Sequence, residues 1–511
     1  MKSEKIFDAI TDIDDELISF SENYKFRKKK NNVLKAVISL AAAFAVLISS
    51  GLIIRNFDFD ILNLSNETAV GENPTVENNT SPDNNKNTGI PEAPVGALQM
   101  TLVKAVYPER TKYPVVDDNY YNSDEFDKWN EEERQRLGIK FDDESVNSFS
   151  FKLIKETLTG KEGENKAVSP LNIYMALCVL AETTGGNSRD QILSLLGVSS
   201  IEELRELAGK LWTKNYRNDG AMQSILANSL WLSDSLNYNT DTLNIISENY
   251  FASSFSGKMG SPEYNMMLNH WISEQTGGLL SPDIKMDPQT LLGIASTLLF
   301  NSKWQNEFNP KNTERGIFNA PSGDREADFM KSTQSMQYFF GDKFSAISLE
   351  LDIGGKMWFI LPDEGVSADY IFEDSELQHL LSIKGNAQDQ YKKSKHIRVN
   401  MSIPKFDIEC KTDIMKNLKN LGITDVMDSS LADFSPLLGD NSGAFVGKAE
   451  HGVRVMADEE GISAAAYTVM LECGSAMPPD EIVDFTLDRP FAFAVTFDYN
   501  TILFAGIVNE I

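Results

Sequence analysis

The residues best suited to take part in chemistry lie in one stretch near the C-terminal end, from Glu459 to Pro479. This stretch has the composition of an exposed segment that another molecule could bind. The acidic pair Glu459-Glu460 and Gly461 suit an exposed turn. Residues 461–473 contain no proline and, apart from Glu472, no charge, so this run can lie exposed or enter a sheet as a strand. Pro478-Pro479 then favour an extended, solvent-facing backbone. This composition predicts an exposed connecting segment that can also become a strand. The alternative is an ordinary hairpin at a sheet edge, built around a glycine turn.

Residue patterns of common catalytic sites do not occur in the sequence. There is no Gly-x-Ser-x-Gly elbow, no His-Glu-x-x-His pair and no glycine-rich loop for phosphate. Acidic pairs such as Asp14-Asp15 and Asp142-Asp143 are typical of solvated faces. The three cysteines, Cys178, Cys410 and Cys473, are too few and too widely spaced for a disulfide framework or a Cys-x-x-Cys metal site. We therefore expect no enzymatic activity, no metal and no cofactor.

Length and charge narrow the classes of protein further. A chain of 511 residues exceeds a typical single domain and can bury a large core. The formal net charge of −28 argues against nucleic-acid binding, because neutralising phosphates requires clustered Lys and Arg. This acidity is more consistent with solubility than with a charged ligand.

The N-terminal region is organised around an uncharged run. Residues 1–35 contain the basic cluster Lys25–Lys30, and the run Ala36–Ile54 that follows carries no charge. At about 1.5 Å per residue the run reaches about 28 Å, close to the hydrocarbon thickness of a bilayer, so we predict a transmembrane helix. The basic flank predicts a cytoplasmic N-terminal segment and an extracellular remainder, and hence a single-pass protein of the cell membrane. A buried core helix and a cleaved signal peptide are the alternatives.

Three regions follow the uncharged run. Residues 55–96 are rich in Asn, Thr, Ser, Glu, Pro and Gly, which predicts a flexible extracellular linker. Residues 97–140 regain apolar side chains in a predicted strand over 98–106 and then become acidic and aromatic. No function follows from this N-terminal extension. Residues 141–511 form the predicted globular domain.

Periodicity divides the globular domain into helices first and strands later. Apolar spacing predicts a helix over 145–158, Ser169-Pro170 supplies an N-cap and a first-turn proline for the next helix, and Ser200 with Glu203 forms a capping box. Strand patterns dominate afterwards, over 225–232, 291–300, 347–361, 397–408, 445–456, 482–487, 491–497 and 502–508. This order predicts an α+β fold with large mixed sheets rather than a doubly wound sheet.

Several sequence blocks between Phe141 and Ile511 resemble the serpins, a family of serine protease inhibitors. The blocks, in chain order, are Val168–Leu177, Asn269–Ile272 with Thr276–Leu279, Leu299–Trp304 with Phe308, Phe359–Gly365, Ile403–Phe406, Arg489–Phe491 and Leu503–Gly506. Each block is a weak motif, and together they follow the family's order. The stretch that begins at Glu459 is similar to the family's hinge and exposed reactive loop. The resemblance implies a serpin-like fold in residues 141–511, and we interpret the chain as a membrane-anchored, prokaryotic member.

The resemblance implies a suicide-substrate inhibitor of extracellular serine proteases, with cysteine proteases as further candidate targets. In that mechanism the protease attacks the exposed loop and becomes acylated by it. The cut loop then enters the main sheet as a new strand and distorts the enzyme before water hydrolyses the ester; serpin loop insertion is an established example of strand addition. The implied hinge consists of Glu459, Glu460, Gly461, Ile462, Ser463, Ala464, Ala465 and Ala466.

The resemblance also assigns a group of residues that controls opening of the main sheet. Its members are Ser169, Asn172, Ser296, Trp304 and His451. Asn172 stands where the family often has a second serine, and Ser296 where it commonly has asparagine. We therefore expect a rearranged hydrogen-bond cluster and, with it, a changed metastability of the sheet. For His451 the alternative is an ordinary satisfied histidine.

The family's usual spacing from Glu459 places the cleaved bond between Ser475 and Ala476. The residues around this bond are small, which suits the shallow pocket of an elastase-like protease or the broad pocket of a subtilisin-like one, and not a basic-selecting trypsin-like pocket. The alternative function is a non-inhibitory surface binding or adhesion module with a serpin-like fold. That alternative needs no compliant hinge, and the absence of bulky, charged or proline residues from 461–466 disfavours it.

Overall fold

The computed structural model describes residues 100–105, 107–114, 124–141, 143–160, 162–352, 354–384, 387–439, 443–462, 481–497 and 501–511. All of them lie in one compact unit, Asn87–Ile511. The predicted transmembrane run and linker lie outside the described residues, as do hinge residues 463–466 and the predicted bond Ser475–Ala476. Among the helices that the structure describes, none is both long and apolar enough to span a bilayer.

Helices dominate the first part of the described chain, as the periodicity predicts. They are α1 Asp124–Leu137, α2 Glu144–Leu158, α3 Pro170–Thr183, α4 Gly186–Leu196, α5 Ile201–Asn215, α6 Thr240–Asn249, α7 Pro262–Gln275, α8 Ser375–Ser382, α9 Ala387–Gln390, α10 Met415–Asn420 and α11 Ser435–Leu438. Local signals fix several ends. The Ser169 hydroxyl accepts from the Asn172 amide at the start of α3, and the Ser200 hydroxyl accepts from the Glu203 amide at the start of α5. Gly197 ends α4 with φ of 74°, a left-handed conformation that favours glycine.

The strands dominate the later part of the chain. They are β1 Thr101–Val103, β2 Lys166–Val168, β3 Arg217–Asn218, β4 Gln223–Ser233, β5 Ala252–Gly257, β6 Leu292–Lys303, β7 Glu314–Ala320, β8 Gly323–Phe340, β9 Phe344–Glu350, β10 Lys356–Pro362, β11 Ser394–Pro404, β12 Phe406–Asp413, β13 Glu450–Ala457, β14 Gly461–Ile462, β15 Ile482–Thr486, β16 Phe491–Phe497 and β17 Thr501–Val508.

The described strands form two sheets. Sheet 1 has the order β1-β5-β4-β6-β14-β13-β12, with β3 paired to β4. Sheet 2 has the order β15-β11-β8-β9-β10-β16-β17-β2, with β7 paired to β8. Both sheets are mixed, because β4 and β5 are parallel in sheet 1 and β11 and β15 are parallel in sheet 2, whereas the other described pairs are antiparallel. The predicted α+β fold with large mixed sheets is confirmed.

Two predicted strands are each split in the structure. The pattern over 347–361 spans β9 and β10, which are antiparallel neighbours in sheet 2. The pattern over 397–408 spans β11 in sheet 2 and β12 in sheet 1. The chain thus passes from one sheet to the other at Lys405. Apolar alternation continues through this crossing, so periodicity alone does not reveal it.

Helix α3 lies at the centre of the core. Nearly all of its residues are buried, and it contacts both β6 of sheet 1 and β17 of sheet 2. Burial on all sides explains why its sequence is apolar all round. The opposite face of sheet 1 is covered by α7, whose Tyr264 and Trp271 pack around Trp231 of β4. Sheet 1 is therefore sandwiched between α3 and α7.

Candidate functional site

The first two hinge residues after the acidic pair lie inside sheet 1. Gly461 pairs with Lys303 of β6, and Ile462 pairs with Ser302 on that side and with Ala457 of β13 on the other. Both pairings are antiparallel, so β14 is a short strand held between two longer ones. The Ile462 side chain is only 2 % exposed. The predicted hinge thus has its residues Gly461 and Ile462 paired within sheet 1.

Gly461 is required at its position by close backbone approach. A Cβ atom there would lie 2.3 Å from the Ser302 carbonyl oxygen and 2.7 Å from the Cα atom of Lys303. Neither neighbour is the flexible end of a side chain, so any larger residue would push β14 away from β6. The glycine that marks the hinge in the sequence therefore permits its entry into the sheet.

The acidic pair before the glycine has two different environments. The Glu459 carboxylate lies 2.8 Å from the Lys405 ammonium and accepts a hydrogen bond of 2.7 Å from the Thr313 hydroxyl. Burial acts to raise the pKa of Glu459, but the hydrogen bonds from Lys405 and Thr313 outweigh it and leave the pKa below its ordinary value. Glu460 is exposed. Glu459 is the anchor of the pair, and Glu460 faces solvent.

Trp304 holds the backbone of the same turn. Its indole Nε1 donates to the Asp458 carbonyl at 2.8 Å, and its backbone N–H donates to the Glu460 carbonyl at 3.0 Å. The backbone N–H of Phe308 donates to the Glu459 carbonyl at 2.9 Å. Three consecutive carbonyls are therefore satisfied by one short segment. Trp304 therefore lies beside the predicted hinge and not beside Ser296. The two residues are about 26 Å apart along the direction of β6, at about 3.3 Å per residue.

Below the hinge, β6 and β13 run parallel to each other, since β14 is antiparallel to both. Within the described residues, neither β6 from Leu292 to Asn301 nor β13 from Glu450 to Met456 has a strand partner on the side that faces the other. A cavity of about 100 Å³ lies between their lower ends, lined by Ser296 and His451 and floored by α3. It has room for a few waters and not for a strand. We call the space between these strands the slot.

The predicted sheet-opening residues Ser169, Asn172, Ser296 and His451 meet at the lower end of the slot. The Ser169 backbone N–H donates to His451 Nε2 at 3.0 Å. His451 is buried and has no charged partner among the residues that the structure describes, and burial lowers its pKa to about 4. It is therefore a neutral hydrogen-bond acceptor at pH 7. The start of α3 is thus attached to β13.

Asn172 attaches the same helix to β6. Its Nδ2 donates to the Ser296 carbonyl at 3.2 Å, and the Ser296 hydroxyl donates to the Asn172 carbonyl at 3.2 Å. The two departures from the family pattern thus form a reciprocal pair, with asparagine on the helix and serine on the strand. The Asn172 side-chain oxygen Oδ1 is buried and has no hydrogen-bond partner among the described residues. Asn172 Oδ1 is therefore an acceptor at the edge of the slot to which no described group donates.

Two residues that bind the Glu459 carboxylate were not singled out by sequence reasoning. Lys405 stood inside the block Ile403–Phe406, but its charge had no assigned partner. Thr313 belongs to no quoted block and lies 146 positions from Glu459 along the chain. No local signal identifies it. Within the described part of the chain, no group of three or more His, Cys, Asp or Glu side chains could hold a metal ion.

Comparison with known proteins agrees with this architecture. The sequence profile described as Serpin (serine protease inhibitor) matches residues 144–511. The chain is 28 % identical over 388 residues to serpin-ZX of Arabidopsis thaliana, covering 71 % of this chain and 97 % of that protein. It is 26 % identical over 376 residues to the plasma serine protease inhibitor of Mus musculus, covering 72 % and 90 %.

A solved structure extends the comparison to the fold. The thermophilic serpin tengpin in its native state superposes with a TM-score of 0.64 at 23 % sequence identity, covering 80 % of this chain and 99 % of tengpin. At this identity the likeness concerns the fold alone. The profile match, however, spans well over half of the sequence. The chain belongs to the serpin family.

Proposed function

We propose that this chain inhibits serine proteases by presenting a loop that is cut and then inserted into sheet 1. The observation that carries the proposal is the pairing of Gly461 and Ile462 with both β6 and β13. Insertion has begun at the top of the slot, and the lower part lies ready to accept more residues. Completing the strand would satisfy the backbone groups of β6 and β13 that face each other.

Continued pairing in the register of β14 would give each following loop residue a position in sheet 1. Because Ile462 lies opposite Ser302 and Ala457, continued antiparallel pairing would place Ala464 opposite Phe300 and Val455. Phe300 and Val455 are both buried, and residues opposite each other point to the same face of a sheet. Ala464, Ala466, Thr468 and Met470 would therefore face the core, where small or apolar side chains are required.

Loop composition supports a class of target. Gly474, Ser475 and Ala476 are small, so a protease with a shallow or broad pocket has no penalty for accepting them, whereas a deep basic-selecting pocket gains nothing. The inhibitor would thus act on elastase-like or subtilisin-like proteases. The uncharged run Ala36–Ile54 behind a basic cluster supports attachment to the cell membrane with the serpin domain outside.

The test is a denaturing gel of the full-length chain mixed with elastase, subtilisin and trypsin. We expect an SDS-stable covalent complex with elastase or subtilisin and none with trypsin. Mass spectrometry of the released C-terminal peptide should find a first residue of Ala476. A first residue outside Ser475–Met477 would overturn the assigned bond. Complete cleavage without any covalent complex would favour the non-inhibitory alternative.

A further inference from the structure

The N-terminal extension, residues 97–140, is described by the structure at 100–105, 107–114 and 124–140, and its strand β1 forms the outer edge of sheet 1. Strand β1 pairs antiparallel with β5, with Thr101 opposite Phe255 and Val103 opposite Ser254. Just beyond β1, the Ala105 N–H donates to the Ser253 hydroxyl at 3.1 Å. The extension is therefore part of the sheet that must accept the loop.

An aromatic stack forms the second contact of the extension. The Tyr107 ring lies 5.4 Å from the Trp212 ring and 5.3 Å from the Tyr216 ring, measured between centroids. Trp212 is fully buried in α5, and its indole donates to the Leu226 carbonyl of β4 at 3.0 Å. Tyr107 thus caps a column of rings that is itself bonded to sheet 1.

A buried ionic cluster forms the third contact. The Asp219 carboxylate accepts from the Trp129 indole of α1 at 3.0 Å and from Arg217 at 2.8 Å, and Arg217 also lies 3.3 Å from the Glu133 carboxylate. Arg217 and Asp219 are each 3 % exposed. Arg217 belongs to β3, which pairs with β4. Because buried charges need all their partners, α1 is firmly tied to this corner of sheet 1.

The far end of the extension reaches sheet 2. Arg136 of α1 is 3 % exposed, donates to the Lys214 carbonyl, and has its guanidinium carbon 5.4 Å from the centroid of the Phe497 ring. Phe497 ends β16 of sheet 2. The chain then continues into α2, which packs on α3 and β17. One end of the extension therefore contacts β5 and the other contacts sheet 2.

This placement matters for loop insertion. A strand that enters the slot must separate β6 from β13, and neighbouring strands lie about 4.8 Å apart. The group β1-β5-β4-β6 would then shift relative to sheet 2, which the extension links to that group. Hydrogen bonds and ring contacts are lost well within such a displacement. The contacts of the extension thus oppose opening of the slot.

We propose that the extension is a brace that keeps the intact chain from inserting its own uncut loop. This inference rests on the proposed inhibitory function, because it concerns the same movement. Weakening the brace should loosen the slot and accelerate self-inactivation. The fold of α3 and of sheet 2 should be unaffected, since the brace touches sheet 2 only at its end.

The test compares full-length chains with Tyr107→Ala or Arg136→Ala against wild type. Matched controls are Tyr370→Ala, at an exposed tyrosine outside the extension, and Arg134→Ala, at an exposed arginine on the same helix. The first readout is hydrogen exchange of the intact protein. The second is the rate at which incubated protein loses its ability to trap a protease.

We expect both brace variants to raise amide exchange in β6 and to self-inactivate about tenfold faster than wild type, with exchange in β10 and α3 unchanged. Exchange and inactivation equal to the controls would overturn the brace. Exchange raised equally in β10 and α3 would also overturn it, because that pattern indicates general destabilisation. If wild type traps no protease, the proposed function is refuted. Amide exchange in β6 then still tests whether the extension acts as a brace.

Discussion

Glu459 and Lys405 face each other with 2.8 Å between carboxylate and ammonium, so the first residue of the predicted hinge is tied to the residue where the chain crosses from sheet 2 to sheet 1. The Glu459 side chain is 12 % exposed and that of Lys405 is 40 % exposed. The contact is therefore partly shielded from water. It links the start of the loop to both sheets.

Glu459→Gln should weaken this link. Loss of the charge weakens the bonds from Lys405 and Thr313, and we expect the free energy of unfolding to fall by about 1 kcal/mol. Urea unfolding followed by tryptophan fluorescence measures the change. Glu409→Gln is the control, because the ion pair of Glu409 with Lys411 is exposed. Equal unfolding curves for the two variants would contradict a specific role for Glu459.

Gly461→Ala should expel β14 from sheet 1. The added Cβ would lie 2.3 Å from the Ser302 carbonyl, and relieving that clash requires a backbone shift worth about 1–3 kcal/mol. Hydrogen exchange should increase at Ile462 and at Trp304, whose N–H donates to the Glu460 carbonyl. Gly452→Ala in β13 is the matched control, because its Cβ would meet nothing nearer than 3.9 Å. Unchanged protection in Gly461→Ala would mean that the strand tolerates the clash.

Ala464→Arg should convert the inhibitor into a substrate. After insertion, continued pairing in the register of β14 would put this side chain opposite Phe300 and Val455, both buried, and an unpaired buried cation is very costly. Hydrolysis of the acyl-enzyme should then outrun insertion. A denaturing gel would show cleaved chain in place of the covalent complex. Glu460→Arg, at an exposed position, should still trap the protease. Covalent trapping by Ala464→Arg would refute insertion at this register.

The buried imidazole of His451 should make stability depend on pH. Burial lowers its pKa to about 4, from an ordinary value of 6.5. The unfolded chain therefore takes up a proton before the folded chain does, and the stabilising effect of neutral His451 is complete above pH 6.5. It is lost as the pH falls towards 4, by roughly 3 kcal/mol in total.

Urea unfolding between pH 8 and pH 4 tests this dependence. His451→Asn should remove most of the slope in that window while lowering stability at pH 8. His396→Asn, at an exposed histidine of β11, is the control and should keep the wild-type slope. A wild-type slope in His451→Asn would assign the pH dependence to other groups.

Cleavage of the loop should raise the melting temperature strongly. An inserted strand would pair with both β6 and β13, each of which has one edge without a described partner below Ser302 and Ala457. Scanning calorimetry of intact and cut chains measures the gain. Equal melting temperatures would support the non-inhibitory alternative. The reciprocal bonds between Asn172 and Ser296 hold the slot at its lower end, so Asn172→Ala should lower the melting temperature of the intact chain more than that of the cut chain.

Features encoded within a few residues could be predicted from the sequence. Ser169 and Ser200 cap their helices as their spacing indicates, because an N-cap involves only the next three residues. The hinge role of Gly461 stays a prediction, and the structure adds the carbonyl oxygen that excludes a side chain there. Each helix and strand pattern is likewise local, and the order of helices before strands predicted the α+β fold class.

Features that join distant residues could not be predicted. Asn172 and Ser296 are 124 positions apart, so the sequence indicated a rearranged cluster but not that these two residues bond to each other. Trp304 was grouped with the sheet-opening residues, but two hydrogen bonds place it on the hinge turn. The extension gave no functional signal, because its partners Trp212 and Asp219 are ordinary core residues until Tyr107 and α1 dock on them.

The length of β6 sets how far a trapped enzyme would travel. β6 has 12 residues from Leu292 to Lys303, and at about 3.3 Å per residue a matching strand runs about 40 Å. In the proposed mechanism, residues 461–472 would fill that length and the acyl bond at Ser475 would emerge beyond its lower end. The protease would therefore be carried along the whole of β6, from the end of sheet 1 at Trp304 to its opposite end.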